Sequence, residues 1–157
     1  MNIEKRTKGA FAVIGKEGST ADGEGFVPRL WADANAHYGE VSALAKTNPD
    51  GTLVGFWGLM SDFSRSFRPW EDNFSKGLYL AGVETDDRAQ APPGWTKWTV
   101  PAYEYLSVKV EGAMPQTFAV GLKYMEENHI PLAGAVHEYM DPNDHMQMYL
   151  FLPIGKP

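Results

Sequence analysis

The stretch Leu53–Glu84 reads LVGFWGLMSDFSRSFRPWEDNFSKGLYLAGVE, two apolar runs rich in aromatic and β-branched residues around a mixed aromatic and charged middle. Leu53–Met60 and Gly77–Glu84 have the length and composition of strands, and Ser61–Lys76 reads as a functional loop or short helix between them. Toward the N-terminus, Gly9–Gly15 (GAFAVIG) predicts an earlier strand. After the glycine-rich turn Gly18–Gly25, Pro28 sits where a helix can open. Leu30, Ala34, Tyr38, Val41 and Ala45 then recur at spacings of three and four, which predicts an amphipathic helix. Asn48-Pro49-Asp50-Gly51 closes it with turn chemistry. The order is strand, helix, strand, strand.

Past the polar, proline-ended linker Thr85–Pro93 the pattern restarts. Ala102–Val110 predicts a strand and Glu111-Gly112 a turn. Pro115 opens a helix with Phe118, Leu122 and Met125 on one stripe, and Asn128–Pro131 ends it because proline cannot continue a helix. Gly134–Met140 (GAVHEYM) and Met146–Ile154 (MQMYLFLPI) are two more strands. By position Glu17-Gly18 matches Glu111-Gly112, Asp62 matches Asp141, and Tyr79-Leu80 matches Tyr149-Leu150. These matches predict an internal duplication within one domain spanning 1–157, with pseudo-repeats at about 8–85 and 98–157. Each half alone leaves a sheet edge and a sheet face uncovered. Pairing them about a pseudo-two-fold axis predicts an α+β fold: one antiparallel sheet, helices on one face and a ligand groove on the other.

Composition narrows the function. The 157 residues are 43% hydrophobic and 22% charged, ordinary values for a globular chain. Cysteine is absent, which excludes disulfides, thiolate catalysis and cysteine-ligated metals. A net charge of −6 argues against binding a phosphate backbone, and no DNA-reading segment stands out. No apolar run approaches the roughly 20 residues that span a bilayer, and the N-terminus lacks the apolar stretch of a signal peptide, so a cytoplasmic location is expected. The spacing of His137, Glu138 and His145 is not that of a zinc helix, and Asp141–Asp144 lacks the glycine of a calcium loop. His37, His129 and His137 read as structural histidines. With no phosphate cradle and no nucleophile-elbow serine, neither a metal nor a cofactor is expected. What remains unusual is an aromatic content of 13%, with five tryptophans, in an acidic chain.

Strand alternation puts residues i and i+2 on one face. Leu106, Val108 and Val110 suit the helix-covered face, which turns Tyr103, Tyr105 and Ser107 the other way. The duplication sets Trp57 opposite Val136 and Leu59 opposite Glu138, so a carboxylate stands where the first half has an apolar residue. Within GAVHEYM that is costly unless something pairs with it. Either Glu138 points to solvent or meets a nearby Arg or Lys, or it sits unpaired among aromatic rings. In the second case it attracts lipophilic cations, and its raised proton affinity suits it to general-base work. Trp31 reads as helix packing or a groove rim, and Trp57 by itself as core. Trp95 and Trp98, in the proline-bounded PPGWTKWTVP, and Phe63, Phe67, Trp70 and Phe74 read as walls or a lid over the groove.

The run FWGLMSD, the stretches PWEDNF and KGLYLAGVE, the segment PPGWTKWTVP and the closing GAVHEYMDP and MYLFLPI together resemble the GyrI-like family, the AraC-type effector-binding domain, here as a free-standing member. The resemblance runs from about Lys5 to Ile154. It implies a duplicated strand–helix–strand–strand fold with a groove between the repeats, and a Glu on the second strand of the second repeat that pairs with cationic drugs and dyes. Glu138 in the phrase HEY occupies that position. The resemblance also implies alternatives: a hydrolase of cyclopropane-bearing toxins using the Glu and a Tyr, for which Tyr105 is the first choice and Tyr103 the second, or an interaction with gyrase. Without the DNA-binding half seen in some members, a direct transcription-factor role is not expected. The expected binding set is therefore Glu138, Tyr103, Tyr105, Trp57, Trp70, Trp95, Trp98, Phe63 and Tyr149, serving a hydrophobic or cationic small molecule.

Overall fold

In the computed structural model, which describes residues 2–157, the first half of the chain forms β1 (Ile3–Lys8), β2 (Phe11–Ser19), α1 (Phe26–Ala36), β3 (Phe56–Ser61), the one-turn α2 (Glu71–Phe74) and β4 (Leu78–Thr85). The second half forms β5 (Thr96–Val100), β6 (Tyr103–Lys109), α3 (Met114–Glu127), β7 (His137–Asp141) and β8 (Gln147–Gly155). The strands make one antiparallel eight-stranded sheet in the order β1-β6-β8-β7-β3-β4-β2-β5. The α+β class and the single sheet are as the sequence predicts. Among the described residues no helix is long and apolar enough to cross a membrane.

Two strands escape the sequence reading. β1 (IEKRTK) carries charge at nearly every position and has no apolar stripe, so its strand character comes from its ladder with β6. β5 lies in the segment expected to cover a groove, yet it is a strand paired with β2, with Trp98 and Val100 buried and Thr99 exposed in period two. Each leading strand therefore caps the edge of the other half, and the halves join at the centre through the register Phe56↔Met140, Trp57↔Tyr139 and Gly58↔Glu138. Helix α1 also stops at Ala36 rather than running to Ala45. Gly39 follows, a poor helix former, and the chain continues in 3₁₀ turns at Tyr38–Glu40 and Ser42–Leu44.

The helices lie on one face. Ala34 of α1 packs with Ile14, Val41, Val83 and Trp95, and Met125 of α3 with Leu106, Val108, Leu150 and Leu152. The opposite face is not a groove, which corrects the expectation. The sheet curls over it until Trp98 and Val100 near one edge share a cluster with Tyr103 and Tyr105 near the other. Trp57 fills the centre, 4.8 Å from the Phe11 ring and 5.1 Å from that of Phe151. Aromatic side chains are large enough to close this concavity by themselves.

Curling of this kind requires close backbone approach, and Gly15 pairs with Gly82 in the β2–β4 ladder. A Cβ on Gly82 would come within 2.7 Å of the Gly15 Cα, and one on Gly15 within 2.8 Å of the Gly82 Cα. Backbone cannot swing aside as a flexible side chain can. Gly82→Ala is therefore expected to destabilise the protein by about 1–3 kcal/mol, read as a lower urea midpoint; an unchanged midpoint would mean the ladder opens there at no cost.

Candidate functional site

Glu138 lies on β7 opposite Gly58 of β3 and Leu150 of β8, on the face that carries the helices. Tyr79 lies on β4, beyond β3, on that same face. Its side chain crosses β3 over Gly58 and donates a hydrogen bond of 2.6 Å to Glu138 Oε1. The passage exists because position 58 has no Cβ; one built there would run into the Tyr79 hydroxyl and come within 2.7 Å of Glu138 Oε1. The hydroxyl in turn accepts a 2.9 Å bond from Trp31 Nε1 of α1. A relay of Trp31, Tyr79 and Glu138 thus spans helix, sheet and carboxylate.

Burial pushes the Glu138 carboxyl above its usual range, and the Tyr79 hydrogen bond only partly offsets that. The Tyr79 hydroxyl is pushed well up, first by burial and then by the adjacent carboxylate. Among the described residues Glu138 enters no ion pair. Its carboxylate borders a cavity of about 190 Å³ whose sheet floor is Met60, Val136 and Leu150. Met114, Pro115 and Phe118, from the first turns of α3, form one wall. Pro69, Trp70 and Phe74, from the β3–β4 connection, form the other. Among the described residues Glu138 is the only ionisable one lining this cavity, so the cleft is apolar with one acid in its floor.

The wall contributed by the β3–β4 connection is anchored at its start. Asp62 is buried; burial works to raise its carboxyl, but hydrogen bonds from Ser64, Ser61 and the backbone N–H groups of Ser66 and Arg68 outweigh it and hold the group at about 2. Phe67 plugs the concave face, with its ring 5.8 Å from that of Trp98. Trp70 donates its Nε1 to the Leu78 carbonyl at 2.9 Å and stacks on Phe26 of α1 at 6.3 Å. Beyond it, Asp72, Asn73 and Phe74 take left-handed φ angles of 54°, 59° and 61° in succession. Asp and Asn tolerate this region, whereas for Phe74 it costs roughly 1–3 kcal/mol, and such strain concentrates at binding and switch segments.

Of the residues expected to bind, Glu138 and Trp70 meet in the cleft, and Phe74, expected as wall or lid, joins them. The others do not. Tyr103, Tyr105, Trp57, Trp98 and Tyr149 lie in or against the cluster on the opposite face, and Trp95 packs beneath α1 with its Nε1 on Glu40 at 2.9 Å. Phe63 is exposed. Tyr105, proposed as partner of Glu138, is separated from it by the sheet; its hydroxyl is buried without a hydrogen-bond partner, and burial drives its proton affinity far up. The cause is the repeat alignment. Matching Leu59 with Glu138 is one residue out of register, and a one-residue slip turns every side chain to the other face. In the sheet Leu59 faces the aromatic core while Glu138 faces the helices. Tyr79 was missed for the same reason, since its match with Tyr149 also joins opposite faces. The available signal was Gly58, because a glycine inside an apolar strand marks a close approach.

His137 is structural, as expected. It is fully buried, its Nδ1 accepts the Met60 N–H at 3.2 Å, and burial lowers it to about 3, so it stays neutral. Among the described residues no cluster of three or more His, Asp or Glu is placed to hold a metal.

No family model and no curated protein matches the chain. Solved structures do. SAV2435 bound to tetraphenylphosphonium aligns with 98% of this chain and 94% of its own at 16% identity and a TM-score of 0.63. The EcmrR C-terminal domain aligns over 99% and 98% at 11% identity and a TM-score of 0.64. A hydrolase from Listeria innocua aligns over 98% and 92% at 15% identity and a TM-score of 0.55. At these identities the likeness is one of fold, and it agrees with the architecture that the GyrI-like resemblance implies.

A carboxyl raised in the folded state contributes its stability below the unfolded value and loses it as pH rises through the folded value, so ionised Glu138 costs stability at neutral pH. Glu138→Gln keeps an acceptor for Tyr79 and removes the charge. The variant is expected to be more stable by roughly 0.5–2 kcal/mol at pH 7 and to lose that advantage on acidification, in urea melts run across pH. A less stable variant at pH 7 would show that the charge is satisfied internally.

Proposed function

We propose that the protein binds hydrophobic, often cationic small molecules of the drug, dye or xenobiotic kind, as a GyrI-like effector-binding domain, with Glu138 as the charge partner. One observation carries this reading: a carboxylate without a cation, in the floor of a cleft otherwise lined by aromatic, methionine, proline and aliphatic side chains. In such surroundings a lipophilic cation gains direct charge pairing in a low effective dielectric and the ring faces of Trp70, Phe74 and Phe118. A neutral ligand gains the apolar contacts only. The fold shared with a protein bound to tetraphenylphosphonium agrees with the assignment.

The test compares benzyltrimethylammonium with its uncharged carbon isostere neopentylbenzene by titration calorimetry. Glu138→Gln is expected to weaken the cation roughly ten- to a hundredfold and the isostere hardly at all. Cation affinity in the native protein should rise with pH through a midpoint above the usual carboxylate range, because only the ionised form attracts the ligand. Equal losses for both compounds would remove Glu138 from this role.

A second reading follows from the same carboxyl. A group with raised proton affinity, held by Tyr79 at 2.6 Å, is placed to take a proton from a water that attacks an electrophilic ligand. Under this reading the assisting tyrosine is Tyr79 rather than Tyr105 or Tyr103. Incubation with a cyclopropane-bearing electrophile, followed by mass spectrometry, is expected to show ring opening by one added water that Glu138→Gln abolishes. Binding with no turnover above buffer would leave the first reading alone.

A further inference from the structure

The two walls of the cleft touch each other. Phe74, at the end of α2, meets Phe118 of α3 edge to face, with centroids 5.2 Å apart at 84°, and both rings line the cavity. Their backbones come from opposite sides of the floor, so the contact bridges the opening. The neighbouring aromatic on the same connection is fixed: Trp70 is bonded to the Leu78 carbonyl, stacked on Phe26 and seated against Gly77, where any Cβ would collide with its ring. Phe74 has no comparable anchor. Among the described residues its ring pairs with Phe118 alone, and it is the last of three successive non-glycine residues in the left-handed region. What holds that turn is local: the Asp72–Lys76 ion pair at 3.4 Å, the N–H bonds from Ser75 and Lys76 back to the Glu71 carbonyl, the Glu71 N–H to the Lys76 carbonyl at 2.8 Å and the Ser75 hydroxyl to the Asp72 carbonyl. Turning Phe74 away from Phe118 costs one ring contact. With the contact made, the cavity of about 190 Å³ falls below the roughly 300–1,000 Å³ typical of sites for drug-sized ligands.

We propose that the Phe74–Phe118 pair is the size filter of this cleft: closed, it admits compact monocations bearing a single aromatic ring, and bulky tetra-aryl cations enter only when Phe74 swings away. The inference rests on the cation-binding reading of Glu138 and adds the residues that set ligand size. Affinities for benzyltrimethylammonium and tetraphenylphosphonium are measured by calorimetry on the native protein and on Phe118→Ala, Phe118→Leu, Phe74→Ala and Glu138→Gln, each checked by circular dichroism. The native protein should prefer the small cation. Phe118→Ala and Phe74→Ala should each shift the preference roughly tenfold toward tetraphenylphosphonium, and Phe118→Leu by less. Should the alanine variants lose their fold, the leucine variant decides. An unchanged ratio in the folded Phe variants, with small-cation binding still dependent on Glu138, overturns the filter and leaves cation binding standing. If neither cation binds the native protein, or if Glu138→Gln changes nothing, the cation reading and the filter fall together.

Discussion

A single hydrogen bond, from the Tyr79 hydroxyl over Gly58 to Glu138, ties the two halves of this molecule to its cleft. Three conditions meet in it. β4 and β7 must flank β3, which the strand order provides. The intervening residue must lack a Cβ, which Gly58 provides. The phenol needs a second partner to hold its orientation, which Trp31 provides from α1. Because that partner belongs to a helix, the placement of α1 on the sheet and the aim of the carboxylate are parts of one arrangement. Loss of the glycine would break the passage, and loss of the phenol would leave both an indole N–H and a carboxylate without their protein partner.

Glu138 is best understood beside the other carboxylates of the same sheet. Glu84 is buried on the concave face, where it receives the Trp57 indole N–H at 2.9 Å and the Lys8 ammonium at 3.2 Å. Glu17 receives the Trp98 indole at 2.7 Å and a two-pronged bond from Arg65. Asp62 gathers enough donors to stay ionised down to about pH 2. The chain therefore has the means to satisfy an interior acid and uses them at these positions. At Glu138 it supplies one neutral hydroxyl, and the remaining neighbours in the cleft are apolar. A buried charge left in that state costs stability, which is what the proposed binding role would account for.

Much of this was legible in the chain. Six of the eight strands follow from apolar runs, both long helices from spacing, and Glu138 from being a carboxylate inside GAVHEYM. Trp70 and Phe74 fall in the segment read as a wall and do line the cleft, whereas Phe67 of the same run turns into the opposite core and Phe63 stays exposed. The illegible parts have physical causes. β1 is held by backbone pairing and bears no apolar pattern to read. The partner of Glu138 depended on face parity, and parity between halves cannot be read through connections of unequal length. The β3–β4 connection runs from Asp62 to Gly77, whereas β7 and β8 are joined by Pro142–Met146, so matched dipeptides slip against the register. Inverted parity sets Tyr105 beside Glu138 and reads the aromatic core as a groove.

That inequality of connections also explains why one wall of the cleft is a helix and the other a loop. The helices sit over the outer strands of each half, α1 against β2 and β4 and α3 against β6 and β8, leaving β3 and β7 at the centre without a helix. In the second half the short turn after β7 has no chain to spare, and the central floor is bounded by the first turns of α3. In the first half the long connection folds back over the floor and closes it with Pro69, Trp70 and Phe74. A helix side is stiff, since its backbone bonds are all internal. A loop anchored at Asp62, Phe67 and Trp70 is tied down at its base, while its tip at Phe74 rests on the Phe118 ring and the bonds of its own turn. On the proposed reading, the charge that attracts a ligand lies on the sheet, while the contact that limits its size lies on the loop that ends in Phe74. On that reading attraction and selection belong to different parts of the fold, and a change in the loop would alter ligand range without disturbing Glu138.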